Sequence, residues 1–351
     1  MDLFSHAFLG FIFGQALQLD SNVQIILIVS SVILDIDGVA IPGWNASFQF
    51  HRGPLHSILG AILISLSIST LYTVFLCLPA ETFVSIVLIC LGATFAHIFL
   101  DLFTTGSMAV LWPFSSERIA FYLSYFFDPV SFAVLLLASI LVVYVKNTEM
   151  IQAVMIVTIV LLTMNFGMRH YTRNAAIETI RMRDRTQASA DPPPRVVSMP
   201  TLRPDRWWIV VETMLDEVYN HEVYKVDSID NRILSHISVK NPLIDYNDLA
   251  KPTRTHPVAS PQEAIAYSKR DKQVITFIEK SCLPLVNVTL SNDGNSWQVF
   301  WYDLFERLSG VFRGVMVRVE FDGIVVVNFC ARKDMGERVR WEELIAKTGN
   351  D

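Results

Sequence analysis

Long apolar runs fill the first part of the chain, and shorter alternating patterns of polar and apolar residues follow after about residue 200. Six of the apolar runs approach the roughly 20 residues that an α-helix needs to cross about 30 Å of hydrocarbon. They predict membrane segments at residues 3–19, 22–42, 55–79, 82–103, 129–146 and 149–168. The first run is short and contains His6 and Gln15, so it either spans the membrane or lies at its surface. The pattern therefore predicts an α-helical integral membrane bundle of five to six transmembrane helices.

The pattern after residue 206 is that of a small soluble domain. Runs of β-branched and aromatic residues predict strands at residues 207–213, 218–226, 229–239, 286–290, 297–302, 315–321 and 324–331. Ser260-Pro261-Gln262-Glu263 supplies the cap, the proline and the glutamate of a helix start, and the helix is predicted to run to about Cys282. Asp322-Gly323, between the last two strands, predicts a hairpin. These elements predict a small α+β domain with an antiparallel sheet.

A basic and then proline-rich stretch connects the two parts. Arginines at 169, 173, 181, 183 and 185 follow the last apolar run, and prolines occur at 192, 193, 194, 200 and 204. The chain therefore divides into a transmembrane domain (1–168), a basic helix and proline-rich linker (169–205) and an α+β domain (206–351). Arginines flank membrane segments mainly on the cytoplasmic side, which predicts a multi-pass protein of the cell membrane with both termini and the α+β domain in the cytoplasm.

Composition supports a membrane protein and excludes some other classes. The chain is 52% hydrophobic, its mean hydropathy is +0.39, and residues 1–168 contain only three basic side chains, Arg52, Arg118 and Lys146. With a net charge of -6 and no basic stripe interleaved with aromatics, we expect no nucleic-acid partner. Membrane lipids are the expected partners, and no protein partner is indicated. The four cysteines contain no CxxC pair, which argues against disulfides and against a cysteine zinc site.

Seven ionisable residues lie in or beside the apolar runs of the first third of the chain. All are histidine or aspartate: His6, Asp35, Asp37, His51, His56, His97 and Asp101. Charged groups at membrane depth cost a few kcal/mol each and usually mark function. Imidazole and carboxylate are ligands of divalent transition metals. In the predicted topology all seven lie at the same, cytoplasmic end of the bundle, so they predict one metal centre, with zinc favoured and manganese as the alternative.

The spacing within these residues is compatible with shared ligation. His97 and Asp101 are one helical turn apart and can face one metal. Asp35 and Asp37 would point apart on a continuous helix, but Gly38 follows them, so the helix is predicted to end there and both carboxylates can turn towards one centre. Simple solvation of the pair at a helix end is the alternative.

The stretch His51-Arg52-Gly53-Pro54-Leu55-His56-Ser57 is the most specific motif. Its histidines can bind metal, while the Arg52 guanidinium can hold a carboxylate or phosphate with two hydrogen bonds. The alternative is a membrane-flanking cluster that contacts lipid headgroups. Asp128, before Pro129, is either a partner of the metal centre or a helix cap. We assign catalytic roles to Arg52, Asp37 and Asp128, with Asp37 as a metal ligand or general base.

In this order the motifs resemble the LexA-regulated, membrane-bound metal-dependent hydrolase family, the YdjM type of inner-membrane protein. The resemblance covers roughly residues 1–165. It rests on the predicted metal ligands and on three short motifs that follow them: His6, Asp35 and Asp37, the HRGxxHS run from His51 to Ser57, the HxxxD pair of His97 and Asp101, Thr105-Gly106, Trp112-Pro113-Phe114 and Asp128-Pro129. Leu55 stands where a threonine often precedes the second histidine. Members with a proline-bearing linker and a soluble domain that begins near an Arg-Trp pair, here Arg206-Trp207, are also similar. The resemblance implies a membrane domain with a metal site.

The resulting functional hypothesis is metal-assisted hydrolysis at the cytoplasmic face of the membrane. A metal ion can activate water near neutral pH and polarise the bond that is cleaved. A site at the depth of the lipid headgroups favours a phosphoester or lipid-linked substrate, with a peptide or amide as the alternative. Two other classes remain open: a non-catalytic membrane sensor, and an ion or proton transporter that uses the intramembrane histidines and aspartates.

Overall fold

The first part of the chain forms apolar helices whose ends are set by side-chain caps. The computed structural model describes residues 1–36, 52–183, 194–215, 218–242, 258, 260–281, 283–291, 296–304, 313–320 and 325–331. Its first helices are α1 (Leu3–Ala16), α2 (Ser21–Val32), α3 (Ile58–Phe75), α4 (Ala80–Leu102), α5 (Pro129–Tyr144) and α6 (Thr148–Arg183). Asp2 caps α1, Ser57 caps α3 and Asp128 caps α5, each accepting a hydrogen bond from the first turn. Helix α2 packs against α1 and α4, α3 packs against α4, and α1 packs against α5.

Two short 3₁₀ turns adjoin this bundle and carry motif residues. Ile33–Asp35 continues α2, and Pro54–His56 precedes α3. Because a 3₁₀ turn winds more tightly than an α-helix, it changes the direction of its side chains from those of the helix beside it. Asp37, His51 and the Asp322-Gly323 pair lie outside the described residues.

Within the described ranges, α3, α4 and α6 are long and apolar enough to cross a membrane, while α1, α2 with its 3₁₀ turn, and α5 are shorter apolar helices. Many of their large apolar side chains face outward, for example Phe75 at 81% and Leu88 at 64% exposure. Hydrocarbon is the medium that such a surface requires. A membrane domain is therefore confirmed, and the count of five to six spans stays a prediction.

The described residues of the second part of the chain form two four-stranded sheets and two short helices. One sheet has the order β1 (Arg195–Pro200), β2 (Arg206–Leu215), β3 (Val218–Asp227), β4 (Arg232–Pro242), and the other has β5 (Pro284–Leu290), β6 (Ser296–Asp303), β7 (Arg313–Glu320), β8 (Val325–Ala331). Strands β3 and β4 pair antiparallel, as do all neighbours in the second sheet. The helices are α7 (Pro261–Ser268) and α8 (Lys272–Lys280). The predicted class, helices with antiparallel sheet, is confirmed.

Two predicted boundaries differ from the structure. The single helix predicted from Ser260 to about Cys282 is two helices, because the Asp271 side chain accepts from Gln273 N and starts a new helix there. The capping box of Ser260 and Glu263 is present as predicted. In the predicted linker, α6 continues without a break to Arg183, and residues 195–200 form strand β1.

The chain divides into two compact units that are not continuous in sequence. The first comprises Met1–Ala176 together with Met199–Trp207 and Ser228–Asp230, and the second comprises Ile177–Ser198, Trp208–Asp227 and Asn231–Asp351. The short segment Met199–Trp207 thus belongs with the apolar helices. Within the first unit Trp207 Nε1 donates to Thr172 Oγ1 at 3.1 Å, and the same hydroxyl donates to the carbonyl of Pro204 at 2.7 Å.

Candidate metal centre

Four of the predicted ligands converge at one point of the first unit. Asp35, His56, His97 and Asp101 each offer a ligand atom, and these atoms all lie within 4.8 Å of one another. They come from the 3₁₀ turn after α2, the 3₁₀ turn before α3, and the last turn of α4. The two histidine rings are 5.3 Å apart between centroids. This group, called the His/Asp cluster below, could hold a metal ion.

His6 lies directly beside the His/Asp cluster. Its ring stacks on His97 with centroids 3.7 Å apart, and its Nε2 is 3.2 Å from Asp101 Oδ1. The Met1 ammonium also contacts that carboxylate oxygen. His6 and Asp101 are both almost fully buried, so their contact is shielded from water and strong.

A backbone carbonyl determines which nitrogen of His97 faces the cluster. His97 Nδ1 is 2.7 Å from the carbonyl oxygen of Ser31, which can only accept, so Nδ1 carries the hydrogen. In the neutral ring Nε2 then has a free lone pair. It lies 3.5 Å from Asp35 Oδ1 and 3.8 Å from Asp101 Oδ2, and it has no hydrogen bond to any described residue.

These groups together fit a cation. An ionised carboxylate can only accept hydrogen bonds, so Asp35 and Asp101 present lone pairs to the same space as His97 Nε2. His56 Nε2 is 3.3 Å from Asp35 Oδ1 and adds a further nitrogen. The lone pairs of His97 Nε2, Asp35 and Asp101 that face one another repel unless a proton or a metal ion lies between them. In many metal sites, a histidine binds the metal through one ring nitrogen and donates a hydrogen bond from the other to a backbone carbonyl. His97 has this arrangement.

Arg52 is buried and joined to the cluster through Asp101. Its Nη2 lies 3.0 Å from Asp101 Oδ2, and its Nη1 donates to Thr104 Oγ1 at 2.8 Å and to the carbonyl of Gly106 at 2.6 Å. A Cβ atom at Gly106 would collide with this guanidinium, so glycine is required for the close approach. The contacts orient the Asp101 carboxylate. An anionic substrate would have to compete with these groups for the guanidinium. The predicted binding of a carboxylate or phosphate by Arg52 stays a prediction.

Asp128 belongs to a different group of buried side chains. It caps α5, its Oδ1 pairs with Arg169 Nη2 at 2.7 Å, and its Oδ2 accepts from Asn165 at 2.7 Å and from Ser131 at 2.9 Å. None of these described partners is a cluster residue. Of the two interpretations that the sequence left open, the geometry favours the helix cap.

The three other described histidines, His170, His221 and His236, have local partners. His221 Nε2 is 3.2 Å from Glu212 Oε1, and His236 pairs with Glu222. Burial raises the pKa of Glu222, but hydrogen bonds from Ser238, His236 and Asn220 outweigh it, so this pKa lies below its ordinary value. His170 contacts Arg173 and Asn174 on the exposed face of α6.

Sequence reasoning did not identify the residues that position the ligands. These are Ser31, through its carbonyl, and Thr104 and Gly106, which hold Arg52. The only available signal was the Thr104-Thr105-Gly106 triplet that closely follows Asp101. A backbone carbonyl such as that of Ser31 leaves no trace in residue type.

Comparison with known proteins gives one match. Residues 1–174 match the family model described as YdjM inner membrane protein. No curated protein and no solved structure matches the chain. The matched region contains His6, Arg52 and every residue of the His/Asp cluster, so the resemblance noted in the motifs is confirmed.

Proposed function

Because residues 1–174 belong to the YdjM inner membrane protein family, we propose that this region is a metal-dependent hydrolase that acts on a phosphoester or lipid-linked substrate. The observation that carries the proposal is the convergence of His97 Nε2 with the carboxylates of Asp35 and Asp101. These acceptor atoms lie 3.5 and 3.8 Å from that nitrogen, with no described hydrogen bond to it.

In this proposal His56, His97, Asp35 and Asp101 hold a divalent ion. Two imidazoles with two carboxylates suit zinc, and manganese is the alternative. Such an ion acts as a Lewis acid that makes water a nucleophile near neutral pH and polarises a phosphoryl or carbonyl oxygen. His51 and Asp37 are proposed to complete the ligand set or, for Asp37, to act as general base.

The chain's own residues then have distinct tasks. Asp35 is the most exposed of the four cluster side chains, at 12% against 0% for Asp101, so we place the substrate on the Asp35 side. Arg52 and His6 contact Asp101 and hold its carboxylate in position. Arg52 is also proposed to contact the anionic group of the substrate, where its guanidinium would favour a phosphate.

The cytoplasmic location of the site is part of the proposal. Arg169, Arg173, Arg181 and Arg183 lie in the last turns of α6, and such arginines favour the cytoplasmic side. A sensor and an ion or proton transporter are the alternatives. A transporter needs polar groups through the whole membrane thickness, whereas the His/Asp cluster lies at one end of α2, α3 and α4.

The deciding experiment compares metal content and hydrolysis in the same protein. The full chain, purified in detergent, is analysed for bound metal and tested on a panel of phosphoesters and lipids. We expect His97→Ala to lose at least one equivalent of metal together with turnover, because a direct nitrogen ligand is removed. His170→Ala, which removes an exposed imidazole of α6, is the matched control and should keep both.

Two results would count against the proposal. If His97→Ala kept the metal content of the wild-type protein, the facing lone pairs of the His/Asp cluster would be bridged by protons and not by a metal ion. Loss of metal from a protein that hydrolyses nothing in the panel, while its cellular phenotype persists, would indicate a structural ion and favour the sensor.

A further inference from the structure

An apolar cleft begins beside the His/Asp cluster and runs along three helices. It has a volume of about 290 Å³ and is lined by residues of α1, α2 and α4. Among the described residues that line it, Ser31 alone has a polar side chain, and the Ser31 hydroxyl donates to the carbonyl of Leu27 at 2.8 Å. The lining of the cleft is therefore almost entirely apolar.

The near end of the cleft lies one helical turn from the cluster on all three helices. Gly10 follows His6 by four residues, Ser31 precedes Asp35 by four, and Ala93 precedes His97 by four. For the pairs on α1 and α4, residues four apart lie on the same face of the α-helix, one turn from each other; Asp35 lies on the 3₁₀ turn that continues α2. The Ser31 carbonyl that holds His97 is thus part of the boundary between cleft and cluster.

The far end of the cleft opens away from the cluster. Leu17 of α1 and Leu88 of α4 line it there and are 56% and 64% exposed. From Leu88 to Ala96 the lining extends over eight residue steps of α4, or about 12 Å along the axis. At Gly92, midway along this stretch, an added Cβ would meet no atom within 4 Å, so the space beside it is open.

We propose that this cleft binds the hydrocarbon chain of the substrate, with the phosphoester headgroup at the His/Asp cluster. This inference rests on the proposed function and specifies its substrate class: a phosphoester of a long linear alcohol or lipid. A polar group at one end and an apolar groove that leads away from it match a molecule of that form. The surrounding helices belong to the membrane domain, so such a chain reaches the cleft without crossing water.

The first test maps binding and does not depend on turnover. The full chain with zinc added is irradiated with hexadecyl phosphate that carries a diazirine near the end of its chain, and adducts are located by mass spectrometry. We expect saturable labelling concentrated in residues 9–17 and 88–96. Labelling spread evenly over the outward faces of the helices would overturn the proposal. So would displacement by hexadecane as effective as by unlabelled hexadecyl phosphate, because any apolar molecule would then fill the cleft and the phosphate headgroup would contribute nothing to binding.

The second test fills the cleft. Gly92→Leu places a side chain in open space, and Gly167→Leu is the matched control, because an added Cβ at Gly167 on α6 also meets nothing within 4 Å. We expect Gly92→Leu to lower kcat/KM for hexadecyl phosphate, relative to 4-nitrophenyl phosphate, about tenfold or more, since burial of two methylene groups already corresponds to roughly that factor. Gly167→Leu should leave the ratio unchanged.

The two proposals can fail separately. Metal content equal to wild type verifies that Gly92→Leu is folded, and an unchanged substrate ratio in that folded variant overturns the cleft proposal alone. Saturable labelling of the cleft in a protein that hydrolyses no phosphoester would overturn the hydrolase and leave hydrocarbon binding in place.

Discussion

At the scale of single residues, the contacts around Asp101 offset the cost of burying a carboxyl group in an apolar bundle. Burial of a charge is costly unless it is paired and hydrogen-bonded. Asp101 has four described basic neighbours, Arg52, His6, His97 and the Met1 ammonium. A carboxylate surrounded in this way keeps a fixed direction, which is the property that a ligand needs.

Arg52→Ala tests this positioning role. We expect the variant to keep the metal but to bind it about 10–100-fold more weakly, since loss of an orienting partner of a ligand typically has that effect. We also expect a higher KM for phosphoesters. Zinc affinity is measured by competition with a fluorescent chelator, and Arg181→Ala, which removes an exposed arginine of α6, is the control. Metal affinity equal to wild type would show that Asp101 needs no help from Arg52.

The sequence predicted that His56, His97, Asp35 and Asp101 could meet. His97 and Asp101 are one helical turn apart, and the predicted topology places all four residues at the same end of the bundle. The sequence could not predict that His97 Nδ1 would bind a carbonyl, or that Arg52 would turn to Asp101. Those contacts depend on the backbone positions of segments that are distant in sequence, for which residue types carry no signal.

At the scale of secondary structure, hydropathy located every described apolar helix, and local propensity located most strands. Two predicted elements were wrong because another feature of the sequence outweighed the local signal on which each prediction rested. Five prolines suggested an extended linker, yet Val196 and Val197 lie in a strand that pairs with β2. The apolar pattern after Ser260 suggested one helix, yet Asp271 is a stronger local signal because it caps a second one.

Helices α5 and α6 are joined by the buried pair of Asp128 and Arg169, and this pair should be energetically coupled. Removal of one partner leaves an uncompensated buried charge, so we expect Asp128→Ala to destabilise the protein by about 3–5 kcal/mol. Replacement of both residues by apolar ones of similar size, Asp128→Leu with Arg169→Met, should recover most of that loss. Thermal unfolding in detergent measures the effect.

Metal content distinguishes this structural role from a role at the metal centre. Asp128→Ala should retain metal in the fraction that remains folded, because none of its described partners belongs to the His/Asp cluster. Additive effects of the two single substitutions, or loss of metal from folded protein, would contradict the assignment.

At the scale of the whole molecule, the family match and the metal site fall within the same unit. The match ends at residue 174 and the helical part of the first unit ends at Ala176. The proposed chemistry therefore belongs to the shared membrane region, and the sheets after it are a separate addition. The sequence predicted a helical membrane part followed by an α+β part. It did not predict that the short segments Met199–Trp207 and Ser228–Asp230 belong to the first unit.

Orientation in the membrane is the prediction that belongs to this scale. We expect both termini in the cytoplasm, because the arginines at the end of α6 favour that side. Fusions of a compartment-sensitive reporter after residue 20 and after residue 186 should report opposite sides. An extracytoplasmic report from residue 186 would place the His/Asp cluster on the other face of the membrane.

The return of Met199–Trp207 to the first unit has a consequence for biosynthesis. A ribosome completes Ala176 before it reaches the residues that hydrogen-bond to Arg169 and Thr172 through the carbonyls of Thr201, Leu202 and Pro204. During translation these hydrogen bonds can therefore form only after the residues of the membrane helices have all been synthesised. Completion of the first unit is thus tied to synthesis of the sequence that begins the sheets.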